Sequence, residues 1–382
     1  MKKINRFLLG IFCLFAIKSG AQDNPSHLRI SILTCGPGEE LYSTFGHTAI
    51  RIIDSSRATD IVYNYGTFDF NDPDFYMKFT RGKLDYFLSP SSMPDFMYEY
   101  EVEKRPVTEQ VLLLSDTSKI AIANALTATL SSPARYYKYD FLYNNCTSRV
   151  RDILIRYAGL QTGTALVPAG TTFRNMLHEY LNKGDEAWSK FGIDLLLGSP
   201  IDQPVTISES MFLPDYLMKG IDSSAQQNHT GILEQKKQIL AGNDTVKTFH
   251  NWPLYLYTAI VILLTIVSLL KNKTARLLTK GIDFLLLFKT GLLGIFLLFM
   301  WFGTDHKACA ANYNLLWALP TNIIAAFALW KKPKWLQKYF SVTAFIHAFT
   351  LICWIWLPQQ LNNALVPVVI YLLYRSLQLR KN

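Results

Sequence analysis

The chain has 382 residues, half of them apolar, and a formal charge of +9. Fifteen of its positive residues sit in four acid-free stretches (1–21, 271–280, 331–338 and 375–381), so the remainder carries a net −6. That remainder leaves no footprint for nucleic acid, and five cysteines make no disulfide framework.

The first residues read as an export signal over 1–21. Lys2, Lys3 and Arg6 precede a short apolar run, 7–16, and Ser19 and Ala21 supply small residues at the −3 and −1 positions of a cleavage site. Cys13 has no small residues just ahead of it and does not read as a lipidation site. With Cys353 assigned to a membrane helix, Cys35, Cys146 and Cys309 face an oxidising compartment, an odd number that leaves a free thiol.

Residues 22–249 are the expected exported domain. Apolar alternation over 28–33 is followed by the turn Gly36-Pro37-Gly38 and a β-branched strand over 47–53. A turn over 54–60 and a second strand over 61–67 complete a hairpin. A strand at 107–114, a helix at 118–130 and an amphipathic helix at 147–159 follow; the last has Val150, Ile153, Leu154 and Tyr157 on one face. The segment 226–248 is polar and reads as a linker. Residues 63–100 are rich in aromatics, which an ordinary core explains better than a lipid groove. The domain is α+β.

Residues 250–382 are expected to form an all-α transmembrane bundle of five helices, from apolar runs at 252–270, 284–302, 313–330, 339–357 and 361–374. The loops after the first and third runs and the tail are basic; the other two loops are poor in positive charge. Positive loops stay in the cytoplasm, which places the large domain in the periplasm and the chain, multi-pass, in the inner membrane. His347 lies mid-span, as a functional ionisable group or a packed neutral histidine, and Asp283 and Lys289 can snorkel.

The sharpest chemical signal is Tyr143-Asn144-Asn145-Cys146-Thr147. Cys146 opens a predicted helix, where the positive end of the dipole favours thiolate and free N–H groups can hold an oxyanion. A small buried core cysteine would leave the same signature. Phe45-Gly46-His47-Thr48 offers a partner, since histidine is the usual base for a cysteine nucleophile. His178, in the helical stretch 173–181, is the weaker alternative; His229 falls in the polar linker. Asn64 on the second hairpin strand is the chemically apt orienter, although ideal pairing about the turn puts it on the opposite face from His47 unless a bulge intervenes. Arg51 can meet a phosphate or serve as surface charge. Asp305 and His306, on an outer loop, can form a second base pair or contact a headgroup.

A histidine strand that precedes a cysteine helix reverses the order of papain-like enzymes and resembles the permuted NlpC-type thiol hydrolases. The whole chain resembles the Lnb family of bacterial lipoprotein N-acyltransferases. The resemblance rests on Thr34-Cys35-Gly36-Pro37-Gly38-Glu39-Glu40, the segment Phe45–Arg51, Tyr65-Gly66-Thr67-Phe68-Asp69-Phe70, Phe141–Cys146, and Thr304-Asp305-His306 with Asn312–Trp317. One departure is Lys307-Ala308 after His306, where a proline is expected. The resemblance implies an acyl chain passed from a phospholipid to Cys146 as a thioester, then to the α-amino group of a diacylated lipoprotein. Cys146, His47 and Asn64 would be catalytic; Asn145, Arg51, Tyr65, Asp305 and His306 would bind substrate; no cofactor or metal is expected. The competing readings are a membrane-tethered cysteine peptidase or amidase acting on cell-wall peptides, and a binding protein in which Cys146 is structural.

Overall fold

The computed structural model describes residues 27–40, 43–161, 164–224, 231–242 and 247–381. The expected signal segment with Cys13, and His229, lie outside the described residues.

A seven-stranded antiparallel sheet organises the first part. In chain order it comprises β1 (Leu28–Cys35), β2 (His47–Asp54), β3 (Thr59–Thr67), a short helix α1 (Phe75–Thr80), β4 (Asp85–Ser92), α2 (Met93–Glu103), β5 (Val107–Leu112), α3 (Asp116–Leu130), β6 (Tyr136–Lys138) and α4 (Cys146–Ala158). Then come α5 (Phe173–Lys183), α6 (Ala187–Leu196), α7 (Ile207–Ser210), α8 (Pro214–Ser224) and β7 (Leu233–Leu240). The strand order is β6-β4-β3-β2-β1-β5-β7.

Alternation along β1 explains the layering. Ile30 and Ile32 join the core with Leu126 of α3, Leu154 of α4 and Leu217 of α8. Leu33 and Cys35 point the other way, into a cluster with Phe96 and Tyr100 of α2. Both faces of the sheet are therefore covered, which fits the α+β expectation.

The expected polar linker is corrected in part. Residues 233–240, Leu-Glu-Gln-Lys-Lys-Gln-Ile-Leu, pair with β5 as the edge strand β7. Its middle residues are exposed, so no apolar alternation announced it; charged edge strands are a common guard against further pairing.

Five α-helices follow among the described residues: α9 (Trp252–Leu269), α10 (Lys273–Phe302), α11 (Asn322–Lys331), α12 (Trp335–Ile352) and α13 (Val366–Leu379). α9 and α10 are long and apolar enough to cross a membrane. The expected third span, 313–330, is not one helix. A 3-10 turn at Tyr313–Leu316 leads to Pro320, and α11 then runs only ten residues, about 15 Å. Pro320 cannot continue a helix. The broken segment instead lies against α10, where a Cβ on Gly294 would meet the Ala318 carbonyl oxygen at 2.1 Å; only glycine permits that approach.

Candidate functional site

Cys146 is held by its neighbour. Asn145 is the N-cap of α4: its side-chain oxygen accepts the Ser148 N–H at 2.7 Å, and Ser148 Oγ accepts the Asn145 N–H in return. The Asn145 amide nitrogen donates to the carbonyls of Phe141 (2.7 Å) and Phe212 (2.9 Å). Every polar atom of this buried side chain is thus engaged, and Asn145 fixes the start of the helix that carries Cys146.

β2 brings the histidine. Gly46 precedes it at φ +76°, and a Cβ there would strike the Cys35 carbonyl oxygen, so the chain enters β2 through a glycine-only corner. Thr48 Oγ1 lies 3.0 Å from Thr147 Oγ1 and ties the start of α4 to the start of β2. This brings the His47 imidazole and the Cys146 thiol close enough for each to shift the other's pKa, with the Thr48 N–H also acting on the thiol.

His47 Nε2 lies 3.3 Å from Oδ1 of Asn64. The Asn64 amide nitrogen donates to Ser91 Oγ on β4 at 3.1 Å, which holds its oxygen toward the ring. No bulge between β2 and β3 is required. The hairpin pairs Asp54 with Thr59 and Ile50 with Tyr63, so continued pairing sets Asn64 opposite Ala49, on the face that also carries His47. The expectation of opposite faces is corrected: a four-residue turn, 55–58, gives the register the other parity.

The electrostatics follow from this contact. Burial pushes the Cys146 thiol up, but the His47 charge and hydrogen bond, the Thr48 N–H and the Thr147 hydroxyl outweigh it and bring the pKa down to about 7. Burial lowers His47, but the Cys146 charge and its hydrogen bond raise it above its ordinary value overall. Each group favours the charged form of the other, the condition for a thiolate–imidazolium pair. Cys35, fully buried beside Tyr100, is pushed up by burial to about 12, which favours the neutral thiol. All four described cysteines are free.

Sequence reasoning missed Tyr137. It lies on β6, 7% exposed, with the Arg149 guanidinium 3.8 Å from its ring centre. Its hydroxyl has no well-formed hydrogen bond among the described residues. It stands at the backbone N–H of Gly66, a residue whose absent Cβ would lie 3.5 Å from that of Cys146. No run of sequence singles out Tyr137, because three-residue β6 reaches the site only through its pairing with β4.

Other expected residues fall elsewhere. Arg51 sits four residues beyond His47 on β2, about 13 Å along the strand, with its guanidinium bound to Asp60 (2.6 and 2.8 Å) and Glu109 (3.0 Å). In the sheet it is therefore an ion-pair residue. Tyr65 is buried under the sheet, edge-on to Tyr137, and lines a cleft of about 390 Å³ with Arg149 and Tyr157. His178, the alternative base, bonds Asp194 at 2.8 Å. Among the described residues no group of His, Cys, Asp and Glu gathers to hold a metal ion.

The Asp305–His306 loop touches the sheet domain. The Asp305 N–H donates to the Arg81 carbonyl at 2.9 Å, and His306 Nε2 lies 3.1 Å from the Phe79 carbonyl oxygen. Beside it, α1 exposes Tyr76 (82%), Met77 and Phe79, whereas Tyr86, Phe96 and Tyr100 of the aromatic-rich stretch are core. A second junction is polar: Asn312, Asn314 and Gln359 donate to the carbonyls at the end of α6, and Asn362 donates to the Asp194 carboxylate, itself paired with Arg174. These buried amides satisfy carbonyls that would otherwise be orphaned.

A family model described as the Lnb N-terminal periplasmic domain matches residues 18–179, and one described as the Lnb transmembrane domain matches residues 245–381. No curated protein and no solved structure gives a match.

Proposed function

This chain belongs to the Lnb family, a membrane protein with a periplasmic domain that modifies lipoproteins, and on that premise we propose that it is a lipoprotein N-acyltransferase working through a Cys146 thioester. The observation that carries the proposal is the Cys146–His47–Asn64 line, with the thiol brought down to about 7.

The Cys146 thiolate attacks an ester carbonyl of a phospholipid. The carbon–oxygen bond breaks, the leaving hydroxyl takes the proton from His47, and an acyl thioester remains. The α-amine of a diacylated lipoprotein then attacks the thioester, His47 accepts the amine proton, the carbon–sulfur bond breaks, and an amide forms. The Cys146 N–H, at the start of α4, and the Tyr137 hydroxyl are the donors for the oxyanion of both steps. Exposed aromatics on α1, beside a loop of the helical region, support delivery of lipid substrates from the bilayer.

The order of histidine strand and cysteine helix supports a permuted papain-like domain over 22–249, preceded by a signal over 1–21. The basic loops support five inner-membrane spans over 250–382, the third short and broken, with the tail in the cytoplasm. A wall peptidase needs no polar clasp between its catalytic domain and a helical bundle, so the acyltransferase reading is preferred.

To test the chemistry, the full chain in phospholipid vesicles is quenched in acid and the Cys146 peptide is weighed. The proposal expects one acyl chain on that peptide, released by neutral hydroxylamine and absent in Cys146→Ala. An unmodified peptide, together with cleavage of wall peptides, would replace it with the hydrolase reading.

A further inference from the structure

A cleft of the helical region lies at the end opposite the Asp305–His306 loop. α10 runs from Lys273 to Phe302, about 45 Å, and the cleft opens around its first three turns. Its volume is about 660 Å³. Arg276 and Lys280 of α10 and Lys332 and Lys334 of the α11–α12 link converge on it.

Asp283 is the only acid among its lining residues, and it is already matched. Arg375 of α13 donates from Nε to Oδ1 at 2.7 Å and from Nη2 to Oδ2 at 2.8 Å. This closed pair forms a neutral floor beneath four cations. Lys280 is further anchored, its ammonium 4.1 Å from the Trp330 ring centre. Basic residues that only set orientation have no reason to surround a cavity. Here they come from two parts of the chain and face one space, with apolar Leu329 and Phe340 on its wall.

We propose that this cleft binds the phosphate of an anionic phospholipid of the cytoplasmic leaflet. Four cations with no ion-pair partner among the described residues supply the recognition, and the position at the ends of apolar helices, with apolar wall beside the charges, selects a lipid over a free ion. The proposal rests on the reading that these helices span the membrane, with their basic ends inside. It implies a lipid site on the face opposite the chemistry, where charge in the inner leaflet stabilises the bundle that carries the catalytic domain.

The test uses the full chain, purified from membranes and weighed by native mass spectrometry after exposure to phosphatidylglycerol or phosphatidylcholine. Wild type should retain phosphatidylglycerol at least tenfold more than phosphatidylcholine. The double variant Arg276→Gln/Lys332→Gln should lose that preference, whereas Lys271→Gln/Lys338→Gln, equal in charge and outside the cleft, should keep it. Cys146→Ala should also keep it, so lipid retention and acyl transfer are read separately. Equal loss in both double variants would reduce the effect to bulk charge, and undiminished retention in Arg276→Gln/Lys332→Gln would remove the site; either overturns the proposal. Displacement of the lipid by millimolar inorganic phosphate would overturn the lipid assignment. A chain that fails to enter bilayers would instead overturn the membrane-spanning reading beneath it.

Discussion

Asn64 Oδ1 stands 3.3 Å from His47 Nε2, on the adjacent strand and the same face of the sheet. This contact orients the His47 ring. Asn64→Ala should lower the acyl-transfer rate about tenfold or more without unfolding the sheet, because the ring loses its orienting acceptor. Steady-state rates with a diacylated peptide check this; an unchanged rate would remove Asn64 from the mechanism.

The protonation state of Cys146 gives a second prediction. Its pKa is brought down to about 7, against burial, chiefly by His47. Alkylation of Cys146 by iodoacetamide should therefore rise with pH through a midpoint near about 7. In His47→Ala the opposing contribution is gone and burial dominates, so the midpoint should move above the ordinary thiol value. An unshifted midpoint would mean that His47 does not activate the thiol.

Tyr137→Phe removes a hydroxyl and little volume. If that hydroxyl donates to the oxyanion, kcat should fall about 10²-fold, with the alkylation midpoint of Cys146 kept near its wild-type value. Loss of both together would point to a displaced site.

Asn145→Ala should act through structure. It deletes the N-cap of α4 and orphans the Phe141 and Phe212 carbonyls, at a cost of about 1–3 kcal/mol. Chemical denaturation of the full chain, followed by a probe in the sheet domain, measures it.

These predictions divide along what the sequence could reveal. The strand at His47 and the helix at Cys146 were legible, because β-branched residues and a 3.6-residue apolar period report local structure directly. The pairing of His47 with Cys146 was legible as chemistry. The face of Asn64 was not, since it depends on whether the turn at 55–58 yields an odd or even register. Arg51 looked free for a phosphate because Asp60 and Glu109 reach it only in the folded sheet. β7 was hidden by its exposed charges, and the broken third segment by an apolar composition that length alone turns into a span. Tyr137 needed tertiary pairing to be seen at all.

The central claim is tested most directly by the mass of a lipoprotein N-terminus. A reporter is expressed in a bacterium lacking its own N-acyltransferase, with this chain or its Cys146→Ala variant, and the N-terminal lipopeptide is weighed and fragmented. The account predicts a third acyl chain, amide-linked to the α-amine, in the presence of the wild-type chain and diacylated peptide alone with the variant. A reporter that stays diacylated while the chain is present in the membrane, or one N-acylated equally well by Cys146→Ala, would contradict it.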